Sequence, residues 1–157
     1  MYDNIFEALL RAMQPLAHVQ QNPRYHPEGD ALFHSLQTFD LAADAGDAPH
    51  VVAAALFHDV GKSLTGPHHE RSGAALLAPF ASEATCMLVA HHMDLLRDPA
   101  AARAGDVPLT ELERLRAYDD QGRRTTAVVP TLERALGMLL EPGVAEAWLS
   151  DVHHAEG

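Results

Sequence analysis

Apolar residues recur along this chain at the spacing of α-helices. Ile5, Leu9 and Met13 follow one another at intervals of four residues, which predicts an amphipathic helix over Asp3–Met13. Alanine and leucine dominate the apolar positions, β-branched residues are sparse, and no segment alternates apolar and polar residues as a half-buried strand does. We therefore predict an all-α fold, a single-domain bundle of about seven to nine helices.

Capping and helix-breaking residues indicate where the other helices begin and end. Asp30 is a candidate N-cap, and Gly46 ends the helix that follows it. Pro49 opens another helix, which Gly61 is expected to close. The predicted helices after the first cover 31–46, 50–62, 70–78, 82–96, 111–122, 131–141 and 144–152, with polar loops or linkers at 20–30, 63–69 and 97–108.

Two of these helices have start signals of their own. Ser82 is a candidate cap for the helix over 82–96. Thr110 and Glu113 have the spacing of a capping box, which predicts a helix start there, and Gly122 is expected to end that helix.

Length and charge limit the class of partner. A chain of 157 residues, 47% of them hydrophobic, can form one domain with a substantial core. Its formal net charge of −11 argues against binding of long nucleic acid or of an anionic membrane. A small phosphorylated ligand is still compatible, because a metal or a few basic side chains can reverse the field locally.

The compartment is inferred from cysteine content and from the N-terminal segment. Cys86 is the single cysteine, so no disulfide can form within the chain and a reducing compartment is expected. The first residues include Asp3 and Glu7 and lack the pattern of a signal peptide, and no apolar run approaches the ~18 residues of a membrane span. We expect a cytoplasmic protein with no membrane partner, and its oligomeric state stays open.

Histidines and aspartates gather on the predicted helices. The segment LFHDVGK at 56–62 ends an apolar run with an adjacent histidine and aspartate, which can converge on one object only at a helix end. Others among the eleven histidines lie on separate helices, from which side chains can meet inside a bundle as metal ligands do. The candidate ligands are His34, His58, Asp59, His69, the pair His91–His92, and Asp119.

Each candidate has a simpler interpretation when it is taken alone. His58 could be a hydrogen-bonded core histidine, Asp59 could pair with Lys62, and Asp119 with Asp120 could form a solvated helix tail. Their joint occurrence on one apolar scaffold favours a metal site. Imidazoles and carboxylates without thiolates suit Fe, Mn, Zn, Co or Ni, with Mg as a further candidate. One ion is compatible with these donors, and so are two ions that share a carboxylate and hold a hydroxide for attack on phosphorus.

The order of these residues resembles the HD superfamily of metal-dependent phosphohydrolases, whose name comes from the doublet seen here at 58–59. Within it the chain is most similar to the HD domain of bacterial tRNA CCA-adding nucleotidyltransferases. The segments HPEGDALFH, LFHDVGK and YDDQGR carry that resemblance. It covers 27–123, and we expect the C-terminal helices over 130–152 to pack on it within one domain, 1–157.

The resemblance implies a ligand set. The residues that match the ligands of one-metal members are His34, His58, Asp59 and Asp119.

Two-metal members use further ligands. These match His69 and the pair His91–His92, and Asp59 then bridges the two ions. His91 is preferred to His92, and His68 is an alternative to His69.

The resemblance also implies which residues meet the substrate. Lys62 matches a lysine near the substrate phosphate, and Arg123 resembles an arginine that could reach a phosphate. Asp59 and Lys62 are therefore the expected catalytic residues, with Lys62 and Arg123 contacting substrate.

The function expected on this basis is hydrolysis of a phosphomonoester or phosphodiester of a nucleotide-like substrate through a metal-bound hydroxide. The alternatives are a non-catalytic HD-like module that binds a nucleotide or regulates, and an acidic helical scaffold with incidental histidines. The segment after the histidine pair lacks the His-Asp-Gly-Tyr-Pro extension, so turnover of cyclic-di-GMP is not expected. No Gly-Ser motif with paired aspartates occurs, so CCA addition by this chain is not expected either.

Overall fold

The protein is built of helices. A computed structural model describes residues 2–156, and in that range the β-type contacts are two isolated bridges, Gln20–Asp30 and Ala81–Leu149. The predicted all-α fold is confirmed. The α-helices are Asp3–Met13 (α1), Ala31–Asp44 (α2), Pro49–Phe57 (α3), His69–Leu77 (α4), Glu83–His91 (α5), Asp94–Arg97 (α6), Pro99–Ala104 (α7), Leu109–Gln121 (α8) and Leu132–Leu139 (α9). Short 3₁₀ helices cover Gln14–His18, Val60–Ser63, Ala145–Ala147 and Asp151–Glu156.

Side-chain caps start two of the helices as predicted. The Asp30 carboxylate accepts a hydrogen bond from the backbone N–H of Phe33 at 2.8 Å, and the Ser82 hydroxyl accepts one from Thr85 at 3.3 Å. Gly46 follows the end of α2 with a φ of +73°, a left-handed conformation that residues with a Cβ adopt at a cost.

Two helices are shorter than predicted. α3 ends at Phe57, and the chain continues through His58 and Asp59 into the 3₁₀ turn Val60–Ser63 instead of staying helical to residue 62. α5 ends at His91, before α6 begins two residues beyond His92. The residues past each end are still apolar or buried, so hydrophobicity alone does not mark where these helices stop.

The predicted linker over 97–108 contains a helix, α7. The Asp98 carboxylate accepts a hydrogen bond from the backbone N–H of Ala101 at 3.2 Å, and Pro99 occupies the first helical position. Proline is tolerated there, because the N–H it lacks would have no partner within the helix. Here proline starts a helix, and the prediction of a plain linker is wrong.

The start of α8 also differs from the prediction. The helix begins at Leu109 after Pro108, and Thr110 lies inside its first turn, where a helical backbone prevents it from acting as an N-cap. The capping box of Thr110 and Glu113 is therefore wrong, whereas Gly122 does end the helix as predicted.

The last predicted helix is replaced by two short 3₁₀ turns. Between them the backbone bonds to another segment: the N–H of Ser150 donates to the carbonyl of Phe80, and the N–H of Ser82 donates to the carbonyl of Trp148, each at 2.8 Å. These long-range bonds take up backbone groups that a continuous helix over 144–152 would have used internally.

The core is centred on α3. Residues 51–57 are all buried, and α2, α5 and α8 pack around them. The ring of Phe57 lies 5.7 Å from that of Trp148, so the C-terminal segment closes one side of the core. The stripe predicted on α1 is buried, and α1 packs against α9. No helix in the described part of the chain combines the length and the apolar character needed to cross a bilayer.

Candidate metal centre

Five elements bring imidazoles and carboxylates together beside the C-terminal end of α3. One histidine lies in the first turn of α2, a histidine and an aspartate follow α3, one histidine opens α4, another follows α5, and an aspartate lies in the last turn of α8. All six residues are buried although their side chains are polar. They are His34, His58, Asp59, His69, His92 and Asp119.

Four of these side chains form a first group. The Nε2 atoms of His34 and His58 lie 2.8 and 3.5 Å from the same oxygen, Oδ1 of Asp119. Oδ2 of Asp59 lies 3.2 Å from Nε2 of His58 and 3.7 Å from Nε2 of His34. Two imidazoles and two carboxylates thus face one another from three elements.

The other oxygen of Asp59 belongs to a second group. Its Oδ1 lies 3.1 Å from Nε2 of His69 and 3.6 Å from Nε2 of His92, and those two nitrogens are 3.3 Å apart. Asp59 therefore faces each group with one carboxylate oxygen, which is the arrangement that a bridging carboxylate requires.

Every histidine in the two groups has its Nδ1 beside a backbone carbonyl. A carbonyl only accepts, so Nδ1 carries a proton, and in the neutral ring Nε2 then holds the free lone pair. Such outer partners fix the ring orientation and the nitrogen that is available to a metal. The pairs are His34 with Gly122 at 2.8 Å, His58 with Ala55 at 2.8 Å, His69 with Gly66 at 3.1 Å and His92 with Val89 at 2.7 Å.

Charge and burial act against each other in the first group. Burial disfavours the charged form of His34, but hydrogen bonds to Asp119 and Glu28 outweigh it and raise its pKa to about 9. Burial likewise opposes the charge of His58, while the carboxylates of Asp59 and Asp119 raise its pKa to about 10. Burial raises the pKa of each aspartate, but the neighbouring imidazoles outweigh it and hold both values well below the ordinary range.

The residues present fit a divalent cation. Nε2 of His58 is buried, and although Oδ2 of Asp59 lies 3.2 Å away, its direction leaves this nitrogen without a hydrogen bond among the described residues. Nε2 of His69 and Nε2 of His92 face each other at 3.3 Å, although both carry lone pairs when their rings are neutral. A cation between these nitrogens and the carboxylates would give Nε2 of His58 a partner and would separate the lone pairs of His69 and His92. A donor set of N and O without S suits a first-row divalent metal.

A close crossing of α4 over the 3₁₀ turn brings His69 to Asp59. A Cβ on Gly61 would lie 1.9 Å from the carbonyl oxygen of His69 and 2.6 Å from the backbone nitrogen of Gly73. The role predicted for Gly61, closing α3, is therefore wrong, since that helix has already ended at Phe57. Gly61 instead allows two backbones to approach where any side chain would separate them.

The structure reverses the preference between the two adjacent histidines after α5. His91 is half-exposed, and its Nδ1 pairs with Oδ2 of Asp94 at 2.7 Å, away from both groups. His92 is the buried member and faces Asp59. Adjacent residues at a helix end point in different directions, and the sequence alone does not show which of the two turns inward. His68, the alternative to His69, is exposed and outside the groups.

A cavity of about 420 Å³ opens onto the two groups, and its lining includes Asp59, His69 and Asp119. Lys62 borders it, with Nζ 3.2 Å from Oδ2 of Asp59 and donating to Oε1 of Gln21 at 2.7 Å.

Arg123 also borders this cavity, and its guanidinium is held by backbone carbonyls. Its Nε donates to the carbonyl of Asp119 at 3.3 Å, and its Nη1 donates to that of Tyr25 at 3.0 Å. Lys62 and Arg123 thus both border the cavity that opens onto the two groups, and their contact with a phosphate stays a prediction.

The sequence reasoning missed several residues of the site, and Arg116 and Glu28 are the two that contact predicted ligands. Arg116 borders the cavity and its Nη1 donates to Oδ2 of Asp119 at 3.3 Å, so it orients that carboxylate. Its spacing of three from Asp119 on one helix was a usable signal. Glu28, whose Oε2 accepts from Nδ1 of His34 at 3.0 Å, lies in a polar loop with no periodicity, and its place in the segment HPEGDALFH was the only signal for it.

Comparison with known proteins identifies the class to which this fold and site belong. The HD domain family matches residues 32–124, which is more than half of the chain and includes the six buried residues. The chain therefore belongs to the HD domain family, and the predicted resemblance is confirmed.

Relatives found among curated proteins include multifunctional CCA proteins of several bacteria. The protein of Nitrosococcus oceani is 33% identical over 142 residues, which cover 74% of this chain and 35% of that protein. The protein of Leptothrix cholodnii is 36% identical over 92 residues, or 54% of this chain and 22% of the relative. The protein of Halorhodospira halophila is 42% identical over 72 residues, which cover 41% of this chain and 17% of that relative. The chain thus spans about a third or less of the length of these relatives.

Proposed function

We propose that this protein is a metal-dependent phosphohydrolase that cleaves a phosphomonoester or phosphodiester of a nucleotide-like substrate. Membership of the HD domain family supports a hydrolase of this kind. The observation that carries the proposal is the placement of Asp59, whose two oxygens face two separate groups of buried donors.

The donors divide into two sets around Asp59. Two ions would be held by His34, His58 and Asp119 on one side and by His69 and His92 on the other, with Asp59 shared. When bound, such ions would supply Lewis acidity toward a phosphoryl oxygen and activate water as a nucleophile.

Cationic side chains of the chain would orient the phosphoester. Lys62 and Arg123 border the cavity beside the metal centre and would hold the phosphoryl oxygens through charged hydrogen bonds. Arg116 holds Oδ2 of Asp119, leaving Oδ1 directed at the first group. Charge concentrated here explains how a chain of net charge −11 can accept an anionic substrate.

The test combines metal content with turnover. Protein purified without a histidine tag is analysed for metal per chain and assayed on nucleoside mono-, cyclic and diesters. We expect one or two first-row ions per chain and hydrolysis of at least one class of ester, and Asp59→Asn should remove turnover and lower metal content.

Asp94→Asn is the matched control, because this carboxylate pairs with His91 outside the metal centre. It should keep metal and turnover near wild-type values. Metal-replete protein that cleaves no ester on the panel would refute the hydrolase. If such inactive protein still binds nucleotides, the non-catalytic binding module takes its place, and metal-free protein after purification would support the incidental-histidine scaffold.

A further inference from the structure

The cavity over the metal centre has an apolar border as well as charged groups. Tyr25, Met93 and Leu96 contribute the large apolar side chains of its lining. Tyr25 is 56% exposed and Leu96 is 60% exposed. Single apolar side chains on a surface are ordinary, but two that border one concave charged site provide contact area for a ligand bound there.

Tyr25 is exposed yet tied to the metal centre. Its carbonyl accepts a hydrogen bond from Nη1 of Arg123, whose Nε donates to the carbonyl of Asp119. Its own N–H donates to the carbonyl of Asn22 at 3.1 Å, which closes a turn in the loop. The guanidinium carbon of Arg24 lies 5.7 Å from the ring centroid, a cation–π distance. The backbone of Tyr25 therefore has a defined place relative to Arg123, and its ring borders the same cavity.

Leu96 lies in the short helix α6, and Met93 directly precedes that helix. Because they are three residues apart, the two side chains lie on one face of the helix. The position of α6 is fixed by its last residue, Arg97, whose Nη1 donates to Oε1 of the buried Glu70 at 3.0 Å. Methionine adapts its shape to a planar ring, and leucine supplies apolar area without a polar group.

We propose that Tyr25 and Leu96 bind the nucleobase of the substrate and so select nucleotides over phosphoesters that lack a planar ring. The proposal rests on the function proposed above and adds its specificity residues. An aromatic face beside cationic side chains is how proteins hold a base and its phosphate together, and stacking on such a face tolerates different bases. A cavity of about 420 Å³ is in the range that encloses small-molecule ligands.

The test compares two probes that differ by the base alone. Adenosine 5′-monophosphate and ribose 5-phosphate are titrated into the full chain by NMR, and release of inorganic phosphate is measured in the same samples after metal is added. Tyr25→Ala should weaken binding of adenosine 5′-monophosphate by about 10- to 100-fold. The same variant should change the Kd of ribose 5-phosphate less than twofold. Leu96→Ala should act in the same direction with a smaller effect.

Two further variants separate base contact from general damage. Tyr25→Phe keeps the ring and should restore binding of adenosine 5′-monophosphate. Val128→Ala changes a 92% exposed position that does not line this cavity, and it should leave the binding of both probes unchanged.

The outcomes of the two measurements are independent. If Tyr25→Ala weakens the binding of both probes equally, or of neither, the base contact is overturned even where phosphate is released. If Tyr25→Ala weakens the binding of adenosine 5′-monophosphate alone and no ester releases phosphate, the base contact stands and the hydrolase is rejected.

Discussion

The position of each histidine relative to its own helix decides which ring nitrogen is free. His58 and His92 follow the ends of α3 and α5, and the Nδ1 of each bonds the carbonyl three residues earlier, Ala55 and Val89. Carbonyls in the last turn of a helix have no partner within the helix, so they are available to a side chain that follows. Nε2 is thereby directed away from the helix and toward Asp59.

Replacing His92 should therefore affect metal binding, and replacing its neighbour should not. His92→Asn removes one of the two imidazoles of the second group, and we expect less metal per chain and at least about tenfold weaker binding of what remains. Elemental analysis and a competition titration with a chelator measure both quantities. His91→Asn is the control, because His91 contacts Asp94 outside the site; equal effects of the two variants would contradict the placement of His92.

The metal-free protein should lose stability as pH rises. The folded-state pKa values of His34 and His58 are about 9 and about 10, above about 6.5 for a histidine in an unfolded chain. The folded state therefore binds more protons in this range, and the resulting stabilisation is complete below about pH 6.5 and is lost as pH rises through these pKa values. We expect Tm in a chelating buffer to fall between pH 6.5 and 10, as measured by circular dichroism.

Metal affinity should show the opposite dependence. Ligation needs the deprotonated imidazoles, so binding releases protons and becomes tighter over the same pH range. His34→Gln should make the fall of the metal-free Tm with pH less steep, because it removes one of the two histidines whose pKa is raised in the folded state. A metal-free Tm that stays constant or rises to pH 10 would contradict the charge balance described for the first group.

At the scale of elements, the metal centre depends on how α4 crosses the turn after α3. The helix ends of the site come from separate segments, and the backbones of Gly61 and His69 approach too closely to admit a Cβ at Gly61. No flexible side chain lies at this contact, since the nearest atoms to a Cβ on Gly61 are backbone atoms of His69 and Gly73.

Gly61→Ala should separate α4 from the turn and pull His69 away from Asp59. Overpacking of this kind costs about 1–3 kcal/mol or more, which corresponds to a Tm lower by roughly 2–12 °C in a chain of this size. We also expect metal binding to weaken, because the second group loses its alignment. Thermal unfolding and metal content are the measurements.

Gly137→Ala is the control for this prediction. Gly137 lies in α9, and a Cβ there would meet nothing within 4 Å. The change should raise stability by about 0.5–1 kcal/mol and leave metal content unchanged. If Gly61→Ala behaved in the same way, the close crossing would not be what positions His69.

At the scale of the whole molecule, residues outside the family match complete the core that supports the site. Trp148 is fully buried, packs against Phe57, and donates its indole N–H to the carbonyl of Leu139 at 2.7 Å. Phe57 directly precedes His58, so the wall behind the metal centre includes a side chain from the C-terminal segment. We infer from this packing that residues 2–156 unfold as one domain.

Trp148→Ala should destabilise the whole chain. Removing a buried tryptophan costs about 3–5 kcal/mol, or a Tm lower by roughly 10 °C. Trp148→Phe retains the ring contact with Phe57 and loses the hydrogen bond, so a loss nearer 1 kcal/mol is expected.

Because Trp148 is the single tryptophan, its fluorescence reports on this region alone. In the wild type it should change together with the circular dichroism signal on heating. Two separate transitions would show that the C-terminal segment unfolds independently of the HD core.

Much of the fold was predictable because local signals agree with the tertiary structure. The apolar stripe of α1, the caps Asp30 and Ser82 and the stop at Gly122 each act within a few residues. Three errors come from distant contacts: α3 and α5 end while the chain stays buried, and the C-terminal segment bonds to Phe80 instead of forming a helix. The missed helix α7 and the wrong capping box are local errors at Asp98–Pro99 and Pro108. Hydrophobicity reports burial, and burial does not distinguish a helix from a turn held by other elements.

The sequence by itself determined the all-α class, the family, and the residue types and order of the candidate ligands, because periodicity and motif spacing are properties of the chain. Only the tertiary structure decided that His92 and not His91 faces Asp59, and it placed Arg116 beside Asp119 and Glu28 behind His34. It also showed that Asp59 faces two groups at once. The physical reason is that side-chain direction at a helix end depends on how neighbouring helices pack, and that packing is set by contacts between residues far apart in the sequence.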